Sequence, residues 1–106
     1  MKKDNLENMT RGWFVGDFKP TAFATKDCEV SYRKYKKGDY EKKHLHKIAT
    51  EITLITKGKV MMNGVEYLEG EIIIMEPGEA TDFKALTEAT NIVVKILSVK
   101  GDKYLS

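Results

Sequence analysis

Along most of this chain, polar and apolar residues change over in short runs rather than at the 3.6-residue spacing of a helix. A period of two belongs to strands, whose successive side chains point to opposite faces. After residue 22 such runs follow one another closely: "EVSYRKYK" and "EITLIT" mix β-branched and aromatic residues with polar ones, and "EIIIM" and "NIVVKIL" are short apolar stretches bounded by turn residues. The breaks are as regular as the runs: Gly38-Asp39, Lys57-Gly58, Asn63-Gly64, Glu69-Gly70 and Pro77-Gly78. Asn63-Gly64 is the strongest local signal, because a type I′ turn needs positive φ at both central residues. It predicts a hairpin joining "KVMM" to "VEYL". Many short strands with glycine turns predict an antiparallel sandwich or small barrel.

The first 22 residues differ from the rest. "RGWFVGDFKP" gathers Trp13, Phe14 and Phe18 in one segment ended by Pro20. Aromatics of this size are rarely left in water, so the segment is expected to pack on the barrel, its own or that of a second subunit. With no internal repeat, linker or low-complexity tract, the reading is one domain over residues 1–106, with the barrel at about 23–98.

Composition narrows the picture. A chain of 106 residues, 42% of them hydrophobic, suits a single core. No apolar run approaches the roughly 18 residues of a membrane span, and "MKKDNLENM" lacks the apolar core of a secretory signal. A cytoplasmic protein without a membrane partner is expected. The lone Cys28 has no partner for an internal disulfide and fits a reducing compartment. With no histidine nearer than His44, an ordinary strand or loop residue is a better reading of it than a nucleophile. The net charge of +2 and the lack of a nucleic-acid motif argue against nucleic acid. The denser basic segment "YRKYKKGDYEKKHLHK" reads mainly as a solvated strand face that resists edge pairing. A basic rim attracting an anionic small molecule is the alternative.

The chain's two histidines, His44 and His46, stand one residue apart. On a strand they share a face, with about 6.6 Å between their Cα atoms. Glu51 follows a short turn at 47–49 and opens the next strand, where an antiparallel neighbour would bring its carboxylate to the same point. Two imidazoles and one carboxylate form a set that leaves coordination positions open for water or substrate. Strand parity places Thr53 and Ile55 on the face of Glu51, with Val60 and Met62 as neighbours. Tyr32, Tyr35 and Tyr40 are candidates for ligand contact.

The spacing is Gly38, five residues, His44, one residue, His46, four residues, Glu51, six residues, Gly58. It resembles the first motif of the cupin superfamily, G-(X)5-H-X-H-(X)3,4-E-(X)6-G, at all five positions. "GEIIIMEPGEATDF" resembles the second cupin motif at Gly70, Pro77 and Gly78, but Thr81 stands where that motif has a histidine, followed by Asp82. The resemblance covers roughly residues 29–98, and the whole chain looks like a small single-domain bacterial cupin. "GWFVGDF", "HKIATEIT", "EPGEATDFKAL" and "VKGDKYL" are similar to a narrower group of small cupins of unassigned activity, associated with sugar-nucleotide and surface-polysaccharide enzymes.

The resemblance implies an all-β fold, an antiparallel double-stranded β-helix closed into a jelly-roll barrel. It also implies a divalent transition metal, such as iron, manganese, nickel or zinc, on His44, His46 and Glu51. A small-molecule ligand and a homodimer are the partners expected. Thr81 is a poor transition-metal ligand, and Asp82 should point away, since one residue of offset reverses the face. Three functions follow: a metal-dependent enzyme acting on a small polar ligand such as a sugar or sugar nucleotide, a metal-free sugar isomerase or epimerase with a histidine base, and a binding module without chemistry. The arginine-rich substrate motifs of the sugar-nucleotide enzymes are missing, as the only arginines are Arg11 and Arg33.

Overall fold

The computed structural model describes residues 1–105. After a 3-10 turn at Leu6–Asn8, ten strands follow: β1 (Trp13–Val15), β2 (Glu29–Tyr35), β3 (Tyr40–Leu45), β4 (Thr50–Lys57), β5 (Lys59–Met62), β6 (Val65–Leu68), β7 (Ile72–Met75), β8 (Ala80–Ala85), β9 (Ala89–Ile96) and β10 (Tyr104–Leu105). They form two five-stranded sheets, ordered β1-β2-β9-β4-β7 and β10-β3-β8-β5-β6, and every strand pairing is antiparallel. Consecutive strands often lie in opposite sheets. The turn at 47–49, for example, carries the chain from β3 in one sheet to β4 in the other.

Period-two burial builds the core between the sheets. On β4, Thr53 and Ile55 are buried while their neighbours are less so, and β9 buries Ala89, Asn91 and Val93 in the same rhythm. The facing sheet contributes Val60, Met62, Phe83 and Ala85. The apolar cluster of Ile55, Val60, Met62, Ile73, Phe83, Ala85 and Ala89 fills one end of the interior. Burying such side chains contributes about 1.5–3 kcal/mol each. Of the buried polar residues, His46, Thr53 and Thr81 lie beyond this cluster while Asn91 sits beside Ile55, and the polar lining leaves room for a site.

The Asn63-Gly64 hairpin forms as the dipeptide dictates, joining β5 to β6 with φ of 50° and 75° at the two central residues. The aromatic N-terminal segment packs on its own barrel: β1 pairs with β2, and Trp13 reaches the cavity between the sheets. β10 has no counterpart in the sequence pattern. It adds an edge to the second sheet beside β3, pairing Tyr104 with Leu45 and Leu105 with His44. No helix among the described residues is long and apolar enough to cross a membrane.

Candidate metal centre

One donor atom from each of His44, His46 and Glu51 lies within 4.8 Å of the others. His44 stands at the end of β3 and His46 just past it, with ring centroids 5.5 Å apart and the planes nearly perpendicular. Glu51 reaches the same point by another route than the one the sequence suggests. β4 is not hydrogen-bonded to β3 but belongs to the opposite sheet, so its carboxylate faces the imidazoles across the barrel interior. Alternation still decides the outcome, because Glu51 shares the inward face of buried Thr53 and Ile55.

Each imidazole is oriented by a main-chain carbonyl. Nδ1 of His44 stands 3.0 Å from the carbonyl of Lys42, and Nδ1 of His46 is hydrogen-bonded to the carbonyl of Asp102. A carbonyl can only accept, so each Nδ1 carries the proton and each Nε2 of the neutral ring is a free lone pair. Metal-ligating histidines are oriented in this way.

His46 is 7% exposed, and its Nε2 has no hydrogen-bond partner. That atom stands 3.4 Å from Oε1 of Glu51, beyond the usual range of a hydrogen bond. Burial works to raise the pKa of Glu51, but the adjacent His46, with Lys95 and His44, more than offsets it and holds the carboxyl below its ordinary range. An ionised carboxylate therefore faces a buried ring nitrogen that has no hydrogen-bond partner. Such a pair is satisfied by a cation, either a proton that makes the imidazolium or a metal ion.

The donor set suits a transition metal. A metal with bonds of roughly 2.0–2.2 Å needs donors about 3–4 Å apart, so the set needs to close by about 1–2 Å at most. Thr81 lies directly opposite His44 on β8, buried and lining the cavity, where it offers only a hydroxyl that is turned to the carbonyl of Asp82 at 2.7 Å. Asp82 points away from the interior and instead accepts the N–H of Asn63 at 2.8 Å.

A cavity of about 360 Å³ opens in front of His44, Glu51 and Thr81. That is near the lower end of ligand pockets. Its walls carry paired charges: Arg33 with Glu41 at 3.2 Å, and Lys95 with Glu29 at 3.9 Å. Lys95 also sits 4.9 Å from the centre of the Trp13 ring. Exposed Arg11, Lys19 and Lys103 at the rim add further positive charge. Of the three candidate tyrosines, only Tyr35 lines this cavity. Tyr32 lies one residue out of phase with inward Ser31 and Arg33, and Tyr40 is 57% exposed, so neither reaches it. Met62 lines the cavity, while Ile55 and Val60 are sealed in the core beyond it. Cys28 is half-buried and takes no part in it.

Sequence reasoning misses Asp102. The residue is buried, and its carboxylate accepts the backbone N–H groups of Lys47, Ile48 and Ala49 at 2.9 to 3.2 Å while its own carbonyl holds His46. Burial alone would raise its pKa, but these three bonds hold the carboxyl below its usual range. It thus fixes both the turn between the ligand-bearing strands and the tautomer of His46. The only local signal is an acidic residue in "KGDKYL", which carries no periodicity.

No family model matches the sequence, and no curated protein does so either. Solved structures do match. One is an uncharacterized conserved protein with a double-stranded beta-helix domain from Klebsiella pneumoniae, with a TM-score of 0.70 and 19% identity over 77% of this chain and 72% of that one. A second is a sugar phosphate isomerase from a cupin superfamily, from Silicibacter pomeroyi, with a TM-score of 0.60 and 20% identity over 66% of this chain and 50% of the other. A third is Bacillus subtilis oxalate decarboxylase, described with Mn(II) centers, with a TM-score of 0.63 and 16% identity over 76% of this chain. The chain spans half the length of the isomerase and about a quarter of the decarboxylase. At these identities the likeness establishes the fold.

Proposed function

We propose that this chain, a double-stranded β-helix of the cupin type, holds a divalent transition metal on His44, His46 and Glu51 and binds a small anionic ligand in front of it. The observation that carries the reading is the unpartnered Nε2 of buried His46, oriented by a carbonyl and aimed at an ionised carboxylate. The similarity to a Mn(II) decarboxylase supports it, and the likeness to a sugar phosphate isomerase is in keeping with a sugar-like ligand. When bound, such an ion polarises a ligand oxygen and lowers the pKa of water at its open positions. The residues of the chain do the rest. Lys95 and the rim cations draw an anion inward, Trp13 and Phe18 shield the entrance from water, and the Asp102 carbonyl keeps His46 in the ligating tautomer. The protein is further proposed to act as a cytoplasmic homodimer.

Thr81 favours a second reading. With a hydroxyl at the position opposite His44, the set has three ligands rather than four. Protonated His46 paired with Glu51 would then serve as an acid–base couple without a metal, as in a sugar isomerase or epimerase.

Metal analysis of protein purified without an affinity tag separates the two. About one ion per chain, retained against a weak chelator and lost in His44→Ala, is the expected result. An ion-free parent that stays ion-free after incubation with manganese, iron(II), nickel and zinc overturns the metal reading in favour of the second.

A further inference from the structure

Asn91 faces the interior from β9, is 2% exposed and lines the cavity. Its amide oxygen has no hydrogen-bond partner, a condition that most buried polar atoms avoid. The amide is the end of a polar chain. Arg33 pairs with Oε2 of Glu41 at 3.2 Å, the Tyr35 hydroxyl is aimed at Oε1 of Glu41 in a long 3.4 Å contact, and the Asn91 amide acts on the Tyr35 phenol from its other side.

The direction of these bonds is fixed from the charged end. A carboxylate only accepts, so the phenol proton turns to Glu41. Burial and then the charge of Glu41 raise the Tyr35 pKa, so that proton stays in place at neutral pH. An amide N–H turned to the phenol oxygen leaves Oδ1 of Asn91 as a buried acceptor without a protein partner in the wall of the cavity. Because Arg33 and Glu41 neutralise each other, this end of the cavity asks for a neutral donor. A hydroxyl meets that need.

The distance to the ligand set follows from register. Asn91 pairs with Ile55 while Lys95 pairs with Glu51, so four residues of strand separate the two rungs, about 13 Å at the usual rise.

We propose that Asn91, positioned by Tyr35, is a hydroxyl-recognition subsite, so that the cavity selects small polyhydroxylated carboxylates with the carboxylate at the His44, Glu51 and Lys95 end. The assignment of the carboxylate end rests on the proposed function, whereas the hydroxyl subsite stands on the orphaned amide.

The test compares D-gluconate with hexanoate, a carboxylate of the same length that has no hydroxyl groups. Binding is followed by calorimetry and amide chemical shifts, with manganese and without, and bound metal is measured in parallel. The parent is expected to prefer gluconate by about tenfold or more, roughly one good hydrogen bond. Asn91→Leu, of similar volume, should abolish the preference without changing metal content. Tyr35→Phe, which keeps the ring stacked on Phe83 at 4.6 Å, should reduce it and guards against a folding defect at residue 91. A protein that holds no metal yet keeps the preference in the parent and loses it in Asn91→Leu supports the subsite and sinks the metal reading. Equal binding of the two acids, binding of neither, or a preference unchanged in both variants overturns the subsite.

Discussion

At the scale of single residues, the site depends on which side chains are inward and which atoms are left without partners. Thr81 faces the cavity directly opposite His44, where facing Cβ atoms in a sheet are about 4.5–5.5 Å apart. Thr81→His should therefore add a fourth ligand and raise the metal retained against a chelator by at least tenfold, and His44→Ala should remove retention altogether. If Thr81→His retains no more than the parent, the pocket is not built for a metal. Asp102→Ala should act twice. Losing three carboxylate bonds to the turn at 47–49 should cost about 2–3 kcal/mol, a fall in Tm of roughly 8–20 °C, and the loosened tail, whose residue 102 carbonyl orients His46, should weaken metal binding by about tenfold. Unchanged melting and unchanged metal content in that variant would show that the tail does not support the site. The convergence of His44, His46 and Glu51 is legible in the sequence, because parity and spacing are local properties. Asp102 is not, because its role lies in contacts 53 to 56 residues away. The same parity that places Glu51 inward excludes Tyr32, a candidate by residue type but not by face.

At the scale of elements, the glycines of the first motif do different work, which spacing cannot distinguish. Gly38 has φ of 92°, and a Cβ added to it would meet nothing within 4 Å, whereas Gly58 has φ of 82° and its added Cβ would fall 2.1 Å from the carbonyl oxygen of Glu88. Gly38→Ala should then cost only the left-handed backbone penalty, about 1–2 kcal/mol. Gly58→Ala should cost about 1–3 kcal/mol more, because the β4–β5 turn must move away from the chain entering β9. Urea unfolding of the two variants checks this, and equal midpoints would show that the close approach at Gly58 is relieved at little cost. The longer strands and the Asn63-Gly64 hairpin can be read from the sequence since turn chemistry and alternation are written in consecutive residues. β1 and β10, with three and two residues, are too short to show a period. They exist because a partner strand is there to pair with, and that partner is distant in sequence. The two-sheet route from β3 to β4 is hidden for a similar reason, as a four-residue connection fits either a hairpin or a crossing between sheets.

At the scale of the whole molecule, the two outer faces are unlike. On the β1-β2-β9-β4-β7 sheet, the residues out of phase with the core make apolar rows across the strands, with Val30, Val94, Ile52 and Ile74 in one register row and Tyr32, Ile92, Leu54 and Ile72 in the next. Ile72 is 63% exposed, Ile74 56% and Ile96 46%. The outer face of the other sheet carries Asp82 and Lys84 on β8 and Lys59 and Glu66 on its hairpin, as a solvated surface should. A contiguous apolar face on one side of so small a barrel is more than a monomer ordinarily leaves in water. A second copy docked by a twofold axis would cover each face with the other, since a face is complementary to itself under that symmetry. Stable dimers bury roughly 800 Å² per partner, which a five-stranded sheet face can supply. The expected outcome is a dimeric mass by light scattering at micromolar concentration. Ile72→Lys combined with Ile74→Lys should convert it to a monomer, because two charges per chain cannot be buried without partners. Since both residues point away from the cavity, that monomer should keep its metal and its ligand preference. A parent that is already monomeric would mean that the exposed isoleucines meet some other partner. Loss of metal in the double variant would mean that the site is completed only by the dimer.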